Sequence, residues 1–289
     1  MRARKRYKPI RRLKPKRSPW KKVLKSRFFW FGLLGLFVLG GAAYGVFFTP
    51  VFQIKHIEVR GAQKVPAEKL QEIAKEHILQ KFLLFEINNV FLANVSKVSQ
   101  EAEAAFPEIE TIRIDTGFPD KVKITIKERG AVATWCQEKT YTVGEGEEQV
   151  ARSFRECFAL DSGGVIFEQK EPGGEVLIQN GGAHANLGDQ VIDPETLGKV
   201  FEFQQSMDSF AVFRDVGLRV SSLNIISDDR VNAGISEGWE LYFNPSENIH
   251  WQTTKAQLVL KEEVPAEKRP LLEYIDLRFG DQAYIKYKN

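Results

Sequence analysis

From Phe28 to Ile54 the chain carries no charged residue, and the segment before it holds 14 Lys and Arg and no acid. The stretch FFWFGLLGLFVLGGAAYGVFFT rises about 1.5 Å per residue as a helix, enough to cross a hydrocarbon core of about 30 Å. One transmembrane helix is therefore expected over 28–49. A cleaved signal peptide is the rival reading, since Gly41, Ala42 and Ala43 are small. Its apolar region would usually be about 7–15 residues, however, and here aromatic residues continue past the small cluster. Lys and Arg crowd the first flank, while only Lys55 and Arg60 follow closely on the second. The positive-inside rule then puts residues 1–27 in the cytoplasm and the bulk outside.

The near-neutral total hides an asymmetry. Of 41 basic residues 14 precede the span, which leaves 27 against 38 acidic residues, a formal −11, on the exterior side. The tail has Pro9, Pro15 and Pro19 with few apolar residues, a composition that stays disordered. A basic run also resembles a nucleic-acid arm. Beside a bilayer each such residue gains on the order of 1 kcal/mol from anionic lipid, so membrane lipid accounts for the run and no nucleic acid is expected. Gly41 and Gly45 have the spacing of a helix-dimer motif, which chance explains in a Gly-rich span. With 43% hydrophobic and 27% charged residues, the 289-residue chain has the composition to bury a sizeable core.

After the span, Ile54 to Val59 alternates and ends at Arg60-Gly61, a strand followed by a turn. Pro66 opens a helix with Leu70, Ile73, Ala74 and Ile78 on its apolar stripe, His77 being a packing residue at the margin. A second helix is expected from Val90 to Phe106, with Phe91, Val95, Val98, Ala102 and Phe106 buried, ended by Pro107. Strands Ile109 to Asp115 and Lys121 to Glu128 follow, joined by a turn at Gly117-Phe118-Pro119-Asp120. Strand, helix, helix, strand, strand over 54–129 is the order of a POTRA domain.

The resemblance becomes specific in the next residues. Lys127-Glu128-Arg129-Gly130-Ala131-Val132-Ala133-Thr134-Trp135 is similar to the segment E-R-x-P-x-A-x-W that leaves this domain in FtsQ/DivIB cell-division proteins, with Gly130 near the usual Pro. Ala159-Leu160-Asp161-Ser162-Gly163-Gly164-Val165-Ile166-Phe167 resembles that family's L-V-D-x-x-G-x-x-F hairpin, and Tyr274-Ile275-Asp276-Leu277-Arg278-Phe279 its closing V-D-L-R-Y strand. The resemblance implies a non-enzymatic divisome scaffold in the bacterial cytoplasmic membrane at the septum, supporting septal cell-wall synthesis. It implies FtsL/DivIC-like and FtsB-like coiled-coil partners, among other divisome proteins, bound mainly by the C-terminal β domain. A POTRA-bearing transport or envelope-assembly component is the alternative, but it would need a barrel, and no long series of lipid-facing strands is seen.

Residues 130–289 read as a mostly antiparallel β domain with inserted helices, which makes the whole α+β. Strands are expected at Thr140 to Val143, Phe154 to Leu160, Val165 to Phe167, Leu218 to Ile226, Val231 to Ile235 and Trp239 to Phe243. Helices are expected from Pro194 to Phe210, presenting Leu197, Val200, Phe201, Phe203 and Met207, and from Thr253 to Glu262. Gly144 to Gly146, Gly173-Gly174 and Gly181-Gly182 read as loops, since no phosphate-binding pattern accompanies them.

No catalytic residue, cofactor or metal site is expected. His56, His77, His184 and His250 lack ligand spacing, and no G-x-S-x-G elbow occurs. Cys136 and Cys157 lie outside the membrane, each in an expected strand with 20 residues between them. A cross-strand bridge would stabilise by about 3 kcal/mol in the loop-entropy picture; the alternative is two small buried thiols.

The last strand, with Ala283, Tyr284, Ile285, Lys286, Tyr287 and Lys288, is the expected partner-binding element: an open sheet edge onto which an incoming strand docks. The bland alternative is an ordinary edge guarded by Lys286 and Lys288. A three-residue turn, Gly280-Asp281-Gln282, would pair Phe279 with Ala283, Leu277 with Ile285 and Ile275 with Tyr287. It would also set Asp276 beside Lys286 and Arg278 beside Tyr284.

Overall fold

The structure, a computed structural model, describes residues 26–288 except 79, 83–84, 88, 144–149, 172–175 and 180–183. The expected disordered tail, and the loops at Gly144 to Gly146, Gly173-Gly174 and Gly181-Gly182, lie outside the described residues. Helix α1 (Arg27–Phe48) is continuous, and none of its apolar window Arg27–Val46 is buried among the described residues. One apolar N-terminal helix of this length fits a single-pass membrane protein.

The next unit comprises β1 (His56–Arg60), α2 (Ala67–Ile78), the short hairpin β2 (Gln80–Phe82) and β3 (Phe85–Ile87), α3 (Val95–Ala105), β4 (Ile109–Gly117) and β5 (Lys121–Glu128). Its main sheet has the order β1-β5-β4, with β1 parallel and β4 antiparallel to β5. Period two on β5 buries Val122, Ile124 and Ile126. These meet Leu70, Ala74 and Ile78 of α2 and Val98 and Ala102 of α3, spaced to share one helical face. Burying a side chain the size of Ile124 stabilises by about 1.5–3 kcal/mol.

Two local readings need correction. The α2–α3 connection contains the β2–β3 hairpin, and α3 starts at Val95 rather than Val90. Its start is set by Asn94, whose side chain accepts the Lys97 N–H at 3.2 Å. Phe91, expected on the buried side of a helix, sits in a turn where its N–H donates to Asn89 Oδ1 at 2.9 Å, and it is 56% exposed.

The C-terminal sheet is built from β6 (Ala133–Val143), β7 (Val150–Leu160), β8 (Ile166–Gln169), β9 (Val176–Gln179), β10 (Val220–Ser227), β11 (Arg230–Ile235), β12 (Glu240–Phe243), β13 (Leu272–Phe279) and β14 (Gln282–Tyr287). Its order is β14-β13-β12-β11-β10-β9-β6-β7-β8. Most pairings are antiparallel, but β9 joins both neighbours in parallel, as β12 joins β13. Sequence reading missed β9, a strand of only four residues, Val-Leu-Ile-Gln. Helices α4 (Pro194–Asp208), α5 (Ala211–Val216) and α6 (Ile249–Glu262) contribute to one core with the sheet. There Phe203 of α4 stacks on Phe243 of β12 with centroids 3.9 Å apart. Phe201 is only partly buried, and α6 starts four residues before the expected Thr253, capped by the Asn248 side chain.

Near the join between the two sheets, Glu128 braces the first unit while Arg129 and Lys64 reach across to the second. Glu128 accepts the backbone N–H groups of Gln63, Lys64 and Val65 at 2.7, 2.9 and 3.0 Å. Partial burial pushes its pKa up, but these hydrogen bonds prevail and hold the carboxyl below its ordinary value. Arg129 pairs with the buried carboxylate of Asp161 and donates from Nε to Pro107 O at 3.0 Å. The other Asp161 oxygen accepts from Gly163 N and Val165 N, closing a turn in which Gly164 takes φ +75°. Lys64 adds a contact to Glu168 at 2.6 Å.

Cys136 and Cys157 stand directly opposite each other on β6 and β7 and are disulfide-bonded in the structure. We propose that this bridge is formed in the native protein. Alkylation of freshly isolated chain should modify no cysteine without reductant and both after reduction. Two alkylated cysteines in unreduced material would contradict the bridge.

Candidate partner-docking edge

Strand β14 begins after a turn whose geometry the sequence reading had wrong. Phe279 pairs with Gln282 across a two-residue turn, Gly280-Asp281, not a three-residue one. Ile285 faces Ile275, Tyr284 faces Asp276, Lys286 faces Tyr274 and Tyr287 faces Leu272. A shift between Asp276 and Phe279 inserts one extra residue into β13, a bulge that restores the inward alternation a short turn would otherwise have broken. Ala283, Ile285 and Tyr287 accordingly pack toward the core, as expected, while Gln282, Tyr284 and Lys286 face outward.

The cause of this register lies on another element. Lys255 of α6 is 5% exposed, and its Nζ donates to Leu277 O, to Gly280 O at 2.6 Å and to Gln282 O at 3.4 Å. Trp251 Nε1, one turn earlier, also donates to Gly280 O, at 3.3 Å. Gly280 supplies φ +47°, a left-handed conformation open to glycine. Burial lowers the Lys255 pKa, against the pull of Glu247, Asp281 and Asp276. Sequence reading missed Lys255, although it lies on the helical stripe with Gln252 and Ala256, an unusual position for a lysine.

The outward face is a row of rings and charges. Tyr242 and Tyr274 stack at 4.5 Å, with the Arg230 guanidinium 4.3 Å from the Tyr242 centroid and Lys286 Nζ 5.6 Å from that of Tyr274. Burial, reinforced by Glu240 and opposed by Arg230, pushes the Tyr242 hydroxyl up to about 12. The expected side-chain pairs are replaced: Asp276 binds Arg278 of its own strand, Nη2 to Oδ2 2.7 Å, and Lys286 binds Glu273 at 2.9 Å. Tyr284 meets the ring of Phe279 edge-on at 5.2 Å rather than Arg278.

The sheet's two margins differ. On β8, Ile166 N–H donates to Asp189 O at 3.1 Å and Gly188 N–H to Ile166 O at 2.7 Å, so that edge is engaged by the chain itself at its first residue. Among the described residues β14 pairs only with β13, and the one further backbone bond beside it, Lys288 N to Leu271 O at 2.8 Å, points the same way. Alternation then directs the N–H groups of Tyr284 and Lys286 toward β13 and those of Ala283, Ile285 and Tyr287 outward. Strand β1 is also marginal in its sheet, but the Ile57 carbonyl beside it is taken by Gln71 Nε2 at 3.3 Å. Among the described residues no cluster of three or more His, Cys, Asp or Glu side chains is arranged to hold a metal ion.

Taken together, the β-α-α-β-β unit beyond an apolar helix that fits a single-pass membrane protein, followed by a sheet whose last strand pairs on one side only among the described residues, defines a protein built on a POTRA domain. Residues 52–129 match the family model described as "POTRA domain, FtsQ-type", and this match supports assignment of the chain to the FtsQ/DivIB cell-division family. No curated protein matches the chain.

Replacing Lys255 by Met keeps the stem and removes the donor from the buried Leu277 carbonyl and from those of Gly280 and Gln282 in the turn. The expected loss is about 1–3 kcal/mol in a denaturant titration of the full chain in detergent. An unchanged midpoint would show that the turn does not depend on this ammonium.

Proposed function

We propose that this chain is a non-enzymatic divisome scaffold of the bacterial cytoplasmic membrane. In this reading residues 1–27 are the cytoplasmic tail, 28–49 the span, 54–129 the POTRA domain and 130–289 a β domain that binds partners at the septum. The FtsQ-type match supports a cell-division role. The observation that carries the docking reading is the β14 margin, which pairs only with β13 among the described residues, whereas the β8 margin is taken at Ile166. A partner strand from an FtsL/DivIC-like or FtsB-like coiled-coil protein would add to it by main-chain hydrogen bonds, selected by the outward side chains of Tyr284 and Lys286.

Proline scanning tests this directly. Ile285→Pro removes an outward N–H and leaves the β13 ladder intact, so the variant should fold and bind the coiled-coil partner at least about tenfold more weakly, ~1.4 kcal/mol. Lys286→Pro removes a ladder donor and should damage the fold itself. A folded Ile285→Pro chain that binds the partner with wild-type affinity would refute docking at this edge.

A further inference from the structure

Three phenylalanines, two exposed and one half-buried, form a cluster where the chain leaves α1. Phe52 lies 5.7 Å from Phe91 and 5.4 Å from Phe118 between ring centroids, and Phe91 lies 6.3 Å from Phe118. Phe91 is 56% and Phe118 70% exposed, with Val51 beside them at 55%. They come from three separate segments: the exit from α1, the turn before α3 and the β4–β5 turn. Each segment is fixed by backbone bonds. Val90 N–H donates to Phe52 O at 3.0 Å, Gln53 bridges to Asn89, and the N–H groups of Lys55 and His56 donate to Asp120 O at 2.9 and 3.3 Å. A converged apolar patch of this kind, unlike a scattered surface phenylalanine, marks a contact surface.

We infer that this patch docks the POTRA domain onto the lipid bilayer, with the three rings seated at the boundary between headgroups and acyl chains. The inference rests on reading α1 as a membrane span. The 22 residues of α1 are about 33 Å long, so a helix crossing a core of about 30 Å emerges near Phe48. Phe52 follows four residues later, within about 14 Å even for a fully extended chain. The unit carrying Phe91 is tied to the helix end itself, because Asn89 Nδ2 donates to Val46 O at 2.8 Å. The patch is thus held at the depth where aromatic and apolar side chains enter the interface. Two exposed lysines, Lys55 and Lys121, follow Phe52 and Phe118 closely in the chain and supply the positive charge that anionic headgroups attract. Asp120, beside Lys121 in the chain, is 18% exposed and lies 3.7 Å from His56 Nδ1. Lipid explains both the apolar rings and the basic rim, and it is already present at this depth.

Spin labelling of the full chain in vesicles of phosphatidylethanolamine and phosphatidylglycerol tests the inference. With Cys136 and Cys157 bonded, a nitroxide can be attached singly at Phe91→Cys, Phe118→Cys, Leu39→Cys within α1, or Leu258→Cys on the exposed side of α6. The ratio of collisions with oxygen to collisions with a water-soluble nickel chelate reports depth. Labels at 91 and 118 should show a severalfold higher ratio than the label at 258, approaching that at 39. Adding Lys55→Glu and Lys121→Glu together should shift both toward water. Water-like labels at 91 and 118 with a lipid-buried label at 39 would overturn the docking and leave the span standing. A water-like label at 39 would overturn the span and the docking with it. Shielding of 91 and 118 that appears only when a partner protein is added would assign the patch to protein rather than lipid, and also overturn the inference.

Discussion

A single buried ammonium places the strand on which the binding reading depends. Lys255 carries its charge into the core, where desolvation works against it, and recovers the cost by gathering carbonyls from Leu277, Gly280 and Gln282. A tight two-residue turn alone would have rotated β14 and sent its apolar residues to the solvent face. The bulge between Asp276 and Phe279 absorbs the mismatch. Helix α6, itself packed through Ile249, Ala256 and Leu260, thereby sets the register of the sheet's margin.

Further up the chain, the same logic of short polar contacts joins units that have separate apolar cores. Arg129 reaches Asp161 in the β7–β8 turn and Lys64 reaches Glu168 on β8, while Glu128, within the first unit, holds the backbone that carries Lys64. The Arg129–Asp161 pair is mostly removed from water, so loss of either partner would strand a buried charge. In the fold the E-R and L-D-x-x-G segments of this chain touch, through Arg129 and Asp161.

The β-α-α-β-β unit was legible because its elements are long and keep one period throughout, as in Val122, Ile124 and Ile126 or Leu70, Ala74 and Ile78. The inward set of β14, Ala283, Ile285 and Tyr287, was legible for the same reason. Its turn was not, since two-residue and three-residue loops differ by a bulge that no local pattern marks, stabilised by a lysine on a preceding helix. Strand β9 escaped notice because four residues between Gly-rich segments hold too little pattern to register. Phe91 was misplaced because its spacing to Val95 and Val98 imitates a helix face, whereas the Asn94 cap starts the helix later. That error concealed the exposed aromatic cluster, which depends on three segments meeting in space.

Amide hydrogen exchange along β14, measured residue by residue in the full chain with and without the coiled-coil partner, tests the central claim most directly. In the protein alone, the Tyr284 and Lys286 amides should be protected by β13 while those of Ile285 and Tyr287 exchange quickly. With the partner bound, Ile285 and Tyr287 should become protected as well. Protection at both sets before the partner is added, or fast exchange at Ile285 and Tyr287 in the saturated complex, would contradict the account.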